Sequence, residues 1–398
     1  MQHRVRAVVM RGGTSRAVFF HRDDLPLDPG IRDRVILKIY GGGDPYGRQI
    51  DGLGGATSVT SKTAIIGPAS VSDADVDYTF GQVSVNKPLI DYGGNCGNIS
   101  SAVGPFAIEE GFLRATDPIT RVRIWQTNTR KRIIAHVPTA GGRPQVEGDY
   151  AIDGIPGAGA MILLEFLAPG GSMTGQLLPT GRPTDTFEVP GVGIVTVSLV
   201  DAANPAVFVR PADLGLSGLE TADRVDGDPA LLARLEAIRA LAAVRIGLAK
   251  TAPEATAESP GVPKIAFVTS PQGYAASDGR AVGAEQIDLV GRIMTMGRLH
   301  RAYALTGGIC TAVAAQIPGT LVHDAARGSG GGERTVRIGH PSGIIEVGVD
   351  VQHRDGTWTV EKVTTRRTAR RLMEGAALVP ASVWSEAPRP AGAATTTR

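Results

Sequence analysis

The residues of this chain best suited to chemistry sit in glycine-rich stretches, and the richest is Asp91-Tyr-Gly-Gly-Asn-Cys-Gly-Asn-Ile-Ser-Ser-Ala-Val-Gly104. Cys96 lies there among glycines and asparagines, just ahead of an apolar run. The pattern reads as a loop opening a helix that continues to about Glu110. Gly93, Gly94 and Gly97 permit close backbone approach, and Asn98, Ser100 and Ser101 suit a first helical turn. A cysteine at a helix N-terminus has its thiolate stabilised by free amides and the helix dipole, which also attract an anion. The competing reading is a small buried residue, because free cysteines are among the most buried types.

A second stretch, Gly52-Leu-Gly-Gly-Ala-Thr-Ser-Val-Thr-Ser-Lys62-Thr63, imitates a phosphate loop but has Ser61 where the glycine before the lysine is required, and no helical pattern follows. A nucleotide loop is therefore excluded. Val59 to Ile66 reads instead as a strand with Lys62 on one face. Desolvated beside the glycine loop, that lysine would have the lowered pKa a general base needs. Otherwise it is an exposed strand lysine. A third stretch, Arg11-Gly-Gly-Thr-Ser-Arg16, separates two alternating segments, Arg4 to Met10 and Ala17 to Phe20. Its glycine amides, the Thr14 and Ser15 hydroxyls and Arg16 suit a carboxylate or phosphate, unless it is an ordinary turn with solvated arginines.

The elements that must carry these loops are strand-rich. Ile31 to Tyr40 is helix-like, Val76 to Val85 alternates as a strand, and Val122 to Asn128 with Arg132 to Pro138 reads as a hairpin. Pro and Gly cluster around Leu178-Pro-Thr-Gly-Arg-Pro183, which marks a boundary. Beyond it come strands at Gly193 to Val200 and Ala206 to Val209, an amphipathic helix at Pro229 to Leu241, a strand at Ile265 to Thr269 and a second long helix at Ala284 to Met296. Leu305-Thr-Gly-Gly-Ile-Cys-Thr-Ala-Val313 then repeats the plan of glycines, cysteine and small apolar helix. Arg334 to Val351 is a further strand pair, and Trp358 to Thr365 closes the series.

Composition excludes several classes. With 41 Lys+Arg against 39 Asp+Glu and no basic block interleaved with aromatics, nucleic acid is not the partner. Two cysteines cannot form a disulfide framework, which points to a reducing compartment and a cytoplasmic location. The N-terminus has no apolar run of signal-peptide length, and the apolar stretch Ala160 to Ala168 is broken by Glu165, so neither export nor a membrane is expected. The 52 glycines and 26 prolines, with many Val/Ile/Thr runs, favour an α+β chain rich in tight turns.

Strand sets around one central helix per half, each helix opened by a cysteine-bearing glycine loop, resemble the diaminopimelate epimerase-like fold. Ala203-Asn-Pro205 is similar to the Asn-Pro turn of that superfamily. A closer resemblance, from Val5 to about Pro380, is to the PrpF-type isomerases, which include 2-methylaconitate cis-trans isomerase, methylitaconate Δ-isomerase and 4-oxalomesaconate tautomerase. It is carried by Met10-Arg-Gly-Gly-Thr-Ser15, Asp44-Pro-Tyr46, Asp51 to Ser58, Ser61-Lys62, Val76-Asp-Tyr78 and Gly94-Asn-Cys-Gly-Asn98. Later come Pro263-Lys-Ile-Ala-Phe267, Ile317 to Val322 and Gly339-His-Pro-Ser-Gly343.

The resemblance implies two pseudo-repeated domains, 1–185 and 186–385, each a sheet wrapped around a central helix; the Ala-, Pro- and Thr-rich composition of 386–398 predicts a disordered tail. It implies isomerisation of an unsaturated di- or tricarboxylic acid, of the 2-methylaconitate, aconitate or methylitaconate type, without cofactor or metal. The allylic proton would pass between Lys62 and Cys96 in an interdomain cleft. Thr14, Ser15, Arg16, Thr57, Ser58, Asn95, Gly97, Asn98, Gly307, Gly308, His340 and Ser342 are the candidate substrate contacts. Aligning the second loop with the epimerases puts their second thiol at about Leu305, so Cys310 becomes structural and a two-thiol racemase is disfavoured. A 4-oxalomesaconate-type tautomerase is the alternative activity, with an amino-acid racemase or epimerase behind it. The chain alone does not set the oligomeric state; a homodimer is the assembly held in view.

Overall fold

The computed structural model describes residues 1–328 and 332–385; the tail expected to be disordered lies outside the described residues. Alternating sequence at the N-terminus folds as a hairpin, strand Gln2–Gly12 against Ser15–His21, with Gly12 opposite Ser15 and Gly13-Thr14 making the turn. Strand Lys62–Pro68 adds parallel to the second arm, with Ala17 opposite Lys62, and pairs antiparallel with Val76–Val83, with Lys62 opposite Gln82. Pairing continues through Ile119–Gln126 and Lys131–Ala140 to Ile162–Leu167. Ile162–Leu167 also pairs with Thr357–Arg367, carrying the sheet into the second half. From there it runs through Gly343–Arg354, Gly332–His340, Leu289–Thr295, Lys264–Thr269, Asn204–Val209, Gly193–Ala202 and Asp185–Val189.

Each half of this α+β fold wraps its strands around one helix. The first central helix is Gly97–Glu109 and the second is Leu305–Ala314. Neither sequence has a charged residue before Glu109, so neither helix has a polar face to offer solvent. Residues 97–108 and 305–314 are accordingly buried throughout. Both helices share one apolar core, with Phe106, Ala107 and Val103 from the first and Ile309, Ala312 and Val313 from the second.

Two expectations about elements are corrected. Ala284 to Met296 is not a long helix: a single 3-10 turn, Ala284–Gln286, leads into strand Leu289–Thr295. Every residue of that strand is buried, and a segment covered on both faces loses the alternation that would mark it as β. The strand series also does not close at Thr365. Ala369–Pro380 forms a further strand along the whole of Gln2–Gly12, so pairing crosses the 185/186 boundary here as well as at Ile162–Leu167. Its residues Leu372 to Gly375 are exposed, which hid it from a search for core faces. Among the described residues no helix is long and apolar enough to cross a membrane.

Candidate active site

The two central helices meet start to start. A Cβ placed on Gly97 would lie 2.9 Å from Leu305 Cγ, so only glycine lets the two first turns touch. The first three amides of any helix lack partners within it, so both sets point into the space between the halves. Cys96 is the N-cap of the first helix; its side chain makes no capping bond, and its carbonyl receives the Ser100 amide at 2.9 Å. The thiol, in a residue 9% exposed, faces a cleft lined from both halves.

Lys62 opens its strand at the same cleft and is buried. Its Nζ donates to Gln82 Oε1 at 2.5 Å and lies 5.3 Å from the centre of the Phe80 ring. Gln82 is held as an acceptor because its own amide donates to the carbonyls of Ser58 at 3.0 Å and Ser61 at 2.9 Å. Burial lowers the Lys62 pKa from the usual lysine value, opposed by the nearby Cys96 thiol. The alternative of an exposed strand lysine is thereby excluded.

The second half answers with residues that sequence reasoning did not single out. Lys264, first residue of its strand, lines the cleft with only a 3.4 Å contact from Nζ to Gly261 O, and no carboxylate lies within ion-pairing distance among the described residues. Burial, then the charge of Lys62, pushes its pKa down to about 8, with Cys96 and Asp91 opposing. His300 also lines the cleft; its Nδ1 accepts from the Ala302 amide at 3.0 Å, leaving Nε2 as the donor. Burial and the two lysines press its pKa to about 3, so the ring is neutral.

Two hydroxyls in the cleft wall, Ser15 Oγ and Thr295 Oγ1, are buried without a hydrogen-bond partner. A buried orphan hydroxyl costs about 1–3 kcal/mol, a cost that a bound polar ligand removes. Asn204, which opens its strand just after Ala203, clamps the first loop to the second half. Its Oδ1 accepts from Asn95 N at 2.9 Å and its Nδ2 donates to Asn95 O at 3.0 Å and Thr306 Oγ1 at 3.2 Å. Asp91 makes a second tie, accepting from the amides of Gly93 at 2.7 Å and Gly261 at 3.0 Å.

The candidate residues separate by position. Ser15, Lys62, Asn95, Cys96, Gly97 and Asn98 come together at the cleft. Thr14 sits just beyond, its Oγ1 accepting from Asn98 Nδ2 at 3.1 Å. Arg16 and Thr57 are not in the wall; Thr57 is exposed and shares a hydrogen bond with Thr60 at 2.7 Å, while Ser58 acts through its carbonyl. Gly307 and Gly308 pack against Ile293 and Ile345, and Gly308 N already donates to Ala304 O at 2.8 Å. The helix starts at Leu305, earlier than the glycines suggested, so Ala304, Leu305 and Thr306 take the wall position. Ser342 Oγ donates to Arg301 O at 2.6 Å and accepts its turn's geometry from His340, whose Nδ1 receives the Ser342 amide at 3.2 Å. Both lie outside this cleft. Cys310 is fully buried, donates to Val200 O at 3.2 Å and has its thiol pKa raised by burial. Among the described residues, no group of three or more His, Cys, Asp and Glu side chains could hold a metal ion.

This architecture is the diaminopimelate epimerase-like fold; a hydroxyproline epimerase from Agrobacterium vitis, 14% identical, superposes with a TM-score of 0.54 over 94% of this chain and 92% of that one. More narrowly, the chain belongs to the PrpF protein family, whose model matches residues 2–380. It is 50% identical to 3-methylitaconate isomerase of Eubacterium barkeri, over 94% of this chain and 97% of the relative. It is 46% identical to 2-methyl-aconitate isomerase of Shewanella oneidensis, over 95% and 98%. A crystal structure of methylitaconate-delta-isomerase, 48% identical, superposes with a TM-score of 0.76 over 98% of this chain and 99% of the other.

Proposed function

We propose that this chain isomerises an unsaturated di- or tricarboxylic acid of the 2-methylaconitate, aconitate or methylitaconate type by allylic proton transfer between Lys62 and Cys96, in the cleft between halves 1–185 and 186–385. The observation that carries the reading is the presence in one cleft of a desolvated lysine, a thiol at a helix start, and a second lysine without an acidic partner. Lys62, as the free amine, removes a proton from the carbon next to the double bond. The electron pair spreads through the alkene into the conjugated carboxylate as a dienolate. The Cys96 thiol delivers a proton to the far allylic carbon, and the ammonium of Lys62 then returns its proton to the thiolate, which resets the site.

Charge grows on the carboxylate as the dienolate forms, so fixed positive groups there favour the transition state over the ground state. Lys264 and the amides of Gly97 to Ile99 and Leu305 to Gly307 would supply them. Support for an unsaturated acid also comes from the relatives, named for methylitaconate and methylaconitate. The test is incubation of the purified protein in deuterated water with aconitate isomers, methylitaconate, 2-methylaconitate and oxalomesaconate, followed by NMR. Appearance of the isomerised acid with deuterium at the allylic carbon is expected for at least one of the first three. Turnover of oxalomesaconate alone would shift the reading to a tautomerase, and turnover of none would overturn it.

A further inference from the structure

Behind Asn98 lies a second cavity, of about 280 Å³, whose wall includes Thr14, Tyr150, His340 and Arg367. Arg367 is 6% exposed, yet no carboxylate lies within ion-pairing distance of it among the described residues. Its Nε donates to Asn98 Oδ1 at 3.1 Å, and its Nη1 donates to Arg366 O at 2.7 Å and Thr365 Oγ1 at 3.3 Å. These are neutral acceptors, so the guanidinium charge is solvated but not balanced. The two acids in the same wall are committed elsewhere: Asp153 to Arg280 at 2.6 Å and to the Ile344 amide at 2.6 Å, and Glu346 to Arg366 at 3.9 Å. Tyr150 is the group whose charge would oppose that of Arg367, and burial keeps its phenol protonated by raising its pKa.

The position is built with care. A Cβ on Gly13 would come within 2.2 Å of Asn98 Oδ1 and 3.0 Å of Arg367 Cδ, so the φ +50° glycine leaves room for that hydrogen bond. His340 adds a neutral donor, since its Nδ1 is occupied by Ser342 N and its pKa is held well below the usual histidine value by burial and by the nearby charges of Arg367 and Arg292. A buried guanidinium without an acidic partner, whose Nη2 hydrogens are the ones not engaged by Asn98, Thr365 or Arg366, lines the cavity beside a hydroxyl and an imidazole N–H and suits a carboxylate.

We propose that this second cavity is a carboxylate-binding site headed by Arg367 and joined to the first turn of the catalytic helix through Asn98. The carboxylate belongs either to the remote end of a tricarboxylate substrate or to a separate small polycarboxylate. Asn98 touches both Arg367 and Thr14 and also lines the active cleft, so occupancy bears on the helix start that carries Cys96. The inference rests on the proposed isomerase reading for its kinetic test, while direct binding tests it independently.

The experiment compares wild type, Arg367→Lys and Arg367→Met on trans-aconitate, a tricarboxylate, and methylitaconate, a dicarboxylate, and titrates each protein with the saturated probe tricarballylate by calorimetry. Arg367→Lys keeps the charge without the guanidinium plane that Asn98, Thr365 and the Arg366 carbonyl hold in place, and decides the matter if Arg367→Met does not fold. A rise in KM of about tenfold or more for trans-aconitate, with methylitaconate changed less than about threefold, supports the site and assigns it to the substrate. Tricarballylate acting without competing against either acid, with that action lost in Arg367→Lys, supports the site and assigns it to a separate molecule. If wild type turns over neither acid, the isomerase reading fails, and a tenfold loss of tricarballylate affinity in Arg367→Lys still supports the site. Unchanged kinetics and unchanged tricarballylate affinity in Arg367→Lys overturn it.

Discussion

The two central helices begin in the same way and end up with different work. At the first, the N-cap is Cys96, with its side chain free and facing the cleft. At the second, the N-cap is Ala304, and the cysteine of that loop lies five residues into the helix at Cys310, where it is sealed in the core with its S–H spent on Val200 O. A strand lysine accompanies each helix start. Lys62 is tethered to Gln82, whereas Lys264 has only a long contact to a carbonyl and a pKa pushed down to about 8. Under the proposed mechanism, the difference gives one half the groups that move protons and the other the groups that hold negative charge. A helix start with a thiol can do chemistry; one with an alanine can only bind.

Substitutions can break this asymmetry in order of expected effect. Lys62→Met should lower kcat by about 10⁴-fold, the upper range for loss of a general base, with the fold intact by circular dichroism. Cys96→Ser should cost about 10²–10³-fold, since a hydroxyl is a weaker proton donor; a loss equal to that of Lys62→Met would make the thiol the first base instead. Lys264→Met should act mainly on KM, by about tenfold or more, with kcat affected less, and relief of a half-buried cation without an acidic partner should leave Tm unchanged or about 2 °C higher. Loss of kcat alone would place Lys264 on the proton path.

The pH profile of kcat/KM separates the two lysines. In the proposed mechanism Lys62 acts as the free amine, so its titration makes activity rise with pH, through a pKa lowered by burial from the usual lysine value. Lys264 must be cationic, so activity falls as pH rises through about 8. Lys264→Arg should remove that alkaline fall, since guanidinium stays charged. The smallest effect is expected at Cys310→Ala: kcat within about twofold of wild type and a stability cost of about 1 kcal/mol from the lost methyl-sized volume. A large loss of kcat there would restore a role for the second thiol.

Much of the first half was legible because its loops carry chemistry in their composition. Cys96 between glycines and asparagines announces a helix start, and Lys62 stands out because its surroundings imitate a phosphate loop and fail. The second half was harder. Its wall includes Lys264, Thr295 and His300; Thr295 lies inside, and His300 just after, a segment read as helix because a fully buried strand has no alternation. Lys264 did leave a trace: like Lys62 it is the first residue of an apolar strand. The roles of Asn204 and Asp91 were invisible, because both act through backbone groups more than a hundred residues away. Gly307 and Gly308 misled for a local reason: two glycines suggested a loop where the chain needed slim residues against Ile293 and Ile345.

The measurement that bears most directly on the account is proton exchange at the allylic carbon of a turned-over acid, followed by NMR in deuterated water for wild type, Lys62→Met and Lys264→Met. The account predicts exchange in wild type, none above background in Lys62→Met, and exchange retained at saturating acid in Lys264→Met. Undiminished exchange in Lys62→Met, or its complete loss at saturation in Lys264→Met alone, would contradict it.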